Sequence, residues 1–203
     1  LGVAYGQALS HRYASEQAES DREWRIREAA SERAQKQRDS AAHLAGQLRV
    51  LLEERHSIFE YCISARMYAQ ENPTDAVGLQ SLCTPIAHDI EEITNSDHIA
   101  RRYFDEFFDA EFSAAGGNFF AIDVPEFGNL EGDRNYLIVR INVIATRVSR
   151  SLRLGDRIFQ GLSNINEGQD PRIAFIYAEP SAETLEQISR FRQVSGFMSA
   201  RSS

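Results

Sequence analysis

The chain has 203 residues, 42% hydrophobic and 26% charged. That suits one domain with an appendage and excludes both a disordered and a membrane-embedded composition. A net charge of −8 disfavours non-specific nucleic-acid binding, which needs a basic surface. Two cysteines, Cys62 and Cys83, make neither a disulfide-rich scaffold nor a CxxC metal site.

The chain opens with Leu1-Gly2-Val3-Ala4-Tyr5-Gly6 rather than methionine. This short apolar start fits the trailing end of a removed segment, with a membrane anchor as one candidate and an arbitrary boundary as the other. No run within the chain is apolar enough to span a bilayer. Membrane proximity would therefore have to come through residues preceding Leu1.

Residues 7–71 contain no proline, and their only interior glycine is Gly46. A continuous helix of that length would be roughly 95 Å long, so part of it must project, pair with another chain or break. Within 16–40 the large apolar residues are Trp24 and Ile26, set among charges. Opposite charges recur at i,i+4 as Asp21–Arg25, Glu23–Arg27 and Glu32–Lys36, each pair contributing about 0.2–0.5 kcal/mol to a helix. Ile26, Ala30, Ala34, Gln37 and Ala41 form a narrow seam that a partner helix, or a second copy of the chain, would fit.

From Ala41, Leu44, Leu48, Leu51, Ile58 and Cys62 recur at helical spacing, which predicts a buried stripe. The chain therefore divides into an N-terminal helical stalk (1–40) and a helical bundle domain (41–203). Asn72-Pro73 ends the first bundle helix. A second helical run covers 79–114, with a candidate break at Pro85, and 86–113 pairs antiparallel with 41–71. Its stripe holds Ile86, Ile90, Ile93, Asp97, Ala100, Phe104 and Phe107, and Ala115-Gly116-Gly117-Asn118 closes it.

Residues 119–132 read as irregular. Asp133 is the expected N-cap of a third helix, with Leu137, Ile141, Ile144, Val148, Leu152, Gly155, Phe159 and Leu162 on one face. Residues 161–169 read as a polar connection, and 172–179 as helix or strand. A last helix opens at Ser181 and runs through Leu185, Ile188, Phe191 and Val194 to Gly196. The fold class is all-α, an up-down four-helix bundle with a long stalk. The alternative is an α+β form that pairs residues 119–124 with 172–177.

Glu53 and His56 form an E-x-x-H pair, the spacing that puts two metal ligands on one helix face. Carboxylate-bridged bundles use that pair twice, and the sequence holds it once. A hairpin at Asn72-Pro73 brings Cys62 and Cys83 to similar heights, as a disulfide or, more simply, a buried thiol pair. A zinc site from Cys62, Cys83 and His88 lacks close-spaced ligand pairs. The acids Asp105, Glu106, Asp109 and Glu111 alternate with phenylalanines, which predicts acids outside and rings inside.

On the third helix, Arg147, Arg150, Arg153 and Arg157 form a basic face suited to carboxylates or phosphates. No catalytic, metal-binding or cofactor motif is specific. The expected function is a non-enzymatic interaction or scaffold module, acting through self-association or a protein partner along the long first helix. The alternatives are a metal-dependent carboxylate/histidine bundle enzyme built on Glu53 and His56, and a ligand-sensing helical bundle.

Overall fold

A computed structural model describes residues 2–107, 132–174 and 178–201, with side chains over 16–94, 132–174 and 178–196. Four helices make up the fold: α1 (Gly2–Glu71), α2 (Ala76–Phe107), α3 (Arg134–Asn166) and α4 (Ala182–Arg201). The protein is an all-α helical bundle. By contacts it divides into two compact units, Leu1–Ser40 and Ala41–Ser203. The first unit is helix alone, and every residue from 16 to 39 is exposed. The second holds the core.

Within the second unit α1 is buried along Ala41, Leu44, Leu48, Leu51, Arg55, Ile58, Cys62, Ala65 and Ala69, stepping by three and four. A further flank of Leu52, Phe59 and Ile63 is also buried. The stripe is wide because α1 bonds or couples to all three other helices. Glu54 feels the charges of Asp89 and Glu92, and Cys62 that of Cys83. Both pairings place α2 antiparallel to α1. Arg55 donates to Ser151 Oγ at 2.9 Å and Arg134 to the Ala69 carbonyl at 2.6 Å. The higher α1 position pairs with the lower α3 position, so α3 is antiparallel to α1 as well. His56 meets Gln187 and Glu60 meets Arg190, so α4 runs parallel to α1. It follows that α2 and α3 run in the same direction, so the helices follow an up-down-down-up order rather than the simple up-down alternation expected from the sequence.

The α1–α2 turn is specified locally. The Asn72 amide donates to the Tyr68 carbonyl at 2.9 Å, which closes α1. Asp75 caps α2 by accepting from the Gly78 amide at 2.8 Å, and the Tyr68 hydroxyl donates to its other oxygen at 2.5 Å. A Cβ on residue 78 would collide with that hydroxyl and carboxylate, which is why glycine stands there.

Pro85 does not break the second helix; α2 passes through it from Ala76. Proline at an interior position removes the bond to the Ser81 carbonyl and costs on the order of 3 kcal/mol. Leu79, Cys83 and Ile86, all fully buried around it, offset that cost and hold the helix.

Asp133 caps α3, its carboxylate accepting from the Tyr136 amide at 2.8 Å. Three readings from the sequence are corrected here. Residues 161–166 belong to α3, where Gly161, Leu162 and Asn164 are buried, and the helix stops before Gly168 at φ 75°. Phe159 is 37% exposed because Ile158 takes the inward position between Gly155 and Leu162. Gly196 does not end α4, which continues to Arg201, because Gly196 does not take the positive φ by which a glycine closes a helix.

On α4, Leu185 faces outward while Thr184 and Gln187 are buried. The reason is polar: Asp156 of α3 accepts from the Ser181 amide at 3.0 Å and the Thr184 hydroxyl at 2.8 Å. Ile188 and Phe191 still pack inward, Phe191 lying 5.5 Å from Phe59 between ring centroids. The sequence readings of 108–131, of the α2 stripe from Asp97 to Phe107, of the acids from Asp105 to Glu111, and of a strand at 119–124 paired with 172–177 lie outside the described residues or side chains. Among the described residues there is no strand.

Candidate functional site

Arg147, Arg150 and Arg153 are exposed on α3, and Arg157 is half-buried. Arg147 and Arg150 line a shallow groove of about 410 Å³ with Val139, Asn142, Val143 and Thr146. Val139 and Val143 are exposed in its lining, and Tyr136 is exposed on the same helix. Arg140 lies over the Tyr136 ring at 5.6 Å. The groove therefore joins an apolar strip to two guanidinium groups, and Arg153 and Arg157 lie outside its lining.

Cys62 and Cys83 are both fully buried and unbridged. Burial raises both thiols, Cys83 to about 11, and Cys83 adds a smaller upward push on Cys62. Two thiols held in protonated form behave as small apolar side chains. His88 does not join them. It is exposed, with Nδ1 at 3.8 Å from both Asp89 and Glu92.

His56 and Glu53 face a cleft of about 420 Å³ between α1 and α4, lined by Ser57, Glu60, Tyr61, Glu183 and Gln187 as well. Helical spacing from Glu53 through His56 and Ser57 to Glu60 places these side chains on one face. Gln187 donates through Nε2 to Glu60 at 3.1 Å, so its Oε1 must be the atom 2.6 Å from His56 Nδ1. An amide oxygen only accepts, so Nδ1 carries the proton. Arg190 closes the chain with 2.7 Å to Glu60. Glu53 meets Arg49 at 3.3 Å along the helix. His56 is thus a positioned ring rather than the solvated side chain its charged neighbours suggest.

The buried arginines are not among the residues singled out by sequence reasoning. Arg55 is fully buried between α1 and α3, with Nε on Ser151 Oγ and Nη1 on the Leu51 carbonyl. Arg66, 2% exposed, lies near Arg134, with its Nε and Nη1 unpartnered. The signal was present in the period: 55, 58, 62, 65/66 and 69 fall on the apolar stripe. Residue type hid it, because arginine at such a position reads as surface.

The stalk side chains show the opposite behaviour. Glu23 and Arg27 close at 2.9 Å. Asp21–Arg25 and Glu32–Lys36 do not form ion pairs among the described residues, because an exposed pair gains little over the entropy of two long side chains. Trp24 and Ile26 are 62% and 61% exposed.

Comparison with known proteins gives no match to a family model, a curated protein or a solved structure. Among the described residues no helix is long and apolar enough to cross a membrane.

Proposed function

We propose that this chain is a non-enzymatic helical interaction module that works by association along the exposed part of α1, with itself or with a protein partner. The observation behind this reading is the helix at residues 16–39, exposed at every position and carrying Trp24 and Ile26 in the open. Isolated helices are marginal in water, and most helical stability in proteins comes from packing an apolar face. A helix with no packed face gains that stability from a second helix laid on the seam of Ile26, Ala30 and Ala34. The α3 groove, with Val139 and Val143 beside Arg147 and Arg150, supports the same reading as a second surface with apolar and cationic character.

Sedimentation of the full chain and of a chain starting at Ala41, with Trp24 emission as the local probe, tests the proposal. The expected result is a full chain that self-associates with a blue shift of Trp24 and a shortened chain that stays monomeric. A full chain that stays monomeric at every concentration, with Trp24 fully hydrated, would overturn self-association and leave a heterologous partner as the only form of the reading. Metal content and melting shifts would report on the enzymatic and ligand-sensing alternatives.

A further inference from the structure

The end of the bundle where α1 finishes and α3 begins carries two arginines that have no counter-charge among the described residues. Arg66 sits on α1, on the buried stripe, and is 2% exposed. Its Nε and Nη1 are buried and have no hydrogen-bond partner. Arg134, the first residue of α3, is half-buried; it donates through one Nη to the Ala69 carbonyl, while its Nε is buried and unpartnered. Among the described residues no carboxylate forms an ion pair with either one. Burial, and then the charge of Arg134, pull the Arg66 guanidinium below its ordinary value. Two like charges near each other, one of them almost wholly buried and with donors left over, is an arrangement that destabilises the fold unless an anion completes it.

We propose that Arg66 and Arg134 form a receptor for the oxyanion of a small molecule, a carboxylate or a phosphate group. Both guanidinium groups offer N–H donors and cannot lose their charge in the physiological range, so they select for an anion. Arg134 is the half-exposed member and guards the approach, while Arg66 is the inner donor. The bonds around the pair hold its backbone in place: Arg134 to Ala69, and Gln70 of the next turn to the Val194 carbonyl of α4. An anion bound there would be tied to α1 and α3 at once, so its binding would tighten the bundle end. This site is separate from the exposed helix of residues 16–39, and its fate does not depend on association.

The test is thermal melting and titration calorimetry of the full chain with sodium phosphate and with sodium succinate, each against sodium chloride at matched ionic strength. At an anion concentration 100-fold above its Kd, the melting temperature should rise by roughly 5–10 °C over chloride. Phosphate and succinate compared side by side show which oxyanion the pair takes. In Arg66→Met the shift should vanish, while the variant without anion melts at or above the parent because an uncompensated buried charge is gone. Arg134→Gln, at the half-exposed position, should weaken the shift and provides the readout if Arg66→Met does not fold. No shift beyond chloride with either anion, or an undiminished shift in both variants, would overturn the proposal.

Discussion

Arg55 of α1 and Ser151 of α3 meet in the middle of the bundle, Nε to Oγ at 2.9 Å, with exposures of 0% and 1%. The charge is taken out of water, and its retention depends on acceptors placed by two helices, the Ser151 hydroxyl and the Leu51 carbonyl. Ser151→Ala removes one acceptor from a buried cation and should cost about 1–3 kcal/mol. Urea denaturation should show a lower midpoint at unchanged slope. An unchanged midpoint would show that this bond contributes nothing to the α1–α3 contact.

The turn between α1 and α2 depends on Gly78. Its Cβ-free position leaves room for the Tyr68 hydroxyl to reach Asp75, whose carboxylate also caps α2. Gly78→Ala should lower the denaturation midpoint, although alanine is ordinarily the better helix former. Tyr68→Phe removes the hydroxyl, so in that background the penalty of Gly78→Ala should shrink. Equal penalties in the two backgrounds would refute the collision as the cause.

The first turn of α4 is attached through Asp156. Replacing it by alanine strips the Ser181 amide and the Thr184 hydroxyl of their shared acceptor. A loss of about 1–3 kcal/mol is expected, with hydrogen exchange accelerating first in the opening turn of α4. Thr184→Val, which removes the hydroxyl at nearly constant volume, should reproduce part of it. Uniform acceleration across the whole bundle would argue against a local attachment.

The thiols give a pH dependence. Burial raises the folded pKa of Cys83 from the ordinary 9.0 to about 11 and raises Cys62 as well. The folded state then holds a proton that the unfolded chain gives up first. The thiol contribution is fully present below pH 9 and is lost as the pH climbs from 9 toward 11. Cys83→Ala should flatten this part of the stability profile. In the native protein both thiols should react slowly with a thiol reagent at pH 8 and fully once unfolded. Rapid labelling of native protein would mean that the α1–α2 interface opens more readily than its packing implies.

Much of the architecture follows from local chemistry. The apolar period from Ala41, the turn at Asn72-Pro73 and the Asp133 cap are short-range signals, and each recurs in the structure as a helix stripe, a helix end and an N-cap. The exposure of Trp24 and Ile26 also follows from charges spread around that part of α1. The direction of α3 could not be read this way. The turn after Glu71 is too short for anything but an antiparallel pair, whereas the long stretch between Phe107 and Gly132 allows either direction. Only the bonds from Arg134 to Ala69 and from Arg55 to Ser151 decide it. The inward positions of Arg55, Arg66, Thr184 and Gln187 were equally out of reach. A polar side chain inside a bundle is decided by the partner across the interface, or by the lack of one, and such partners lie far away in sequence. Helical periodicity says which side of a helix faces the core; what charge awaits it there is settled only when the helices meet.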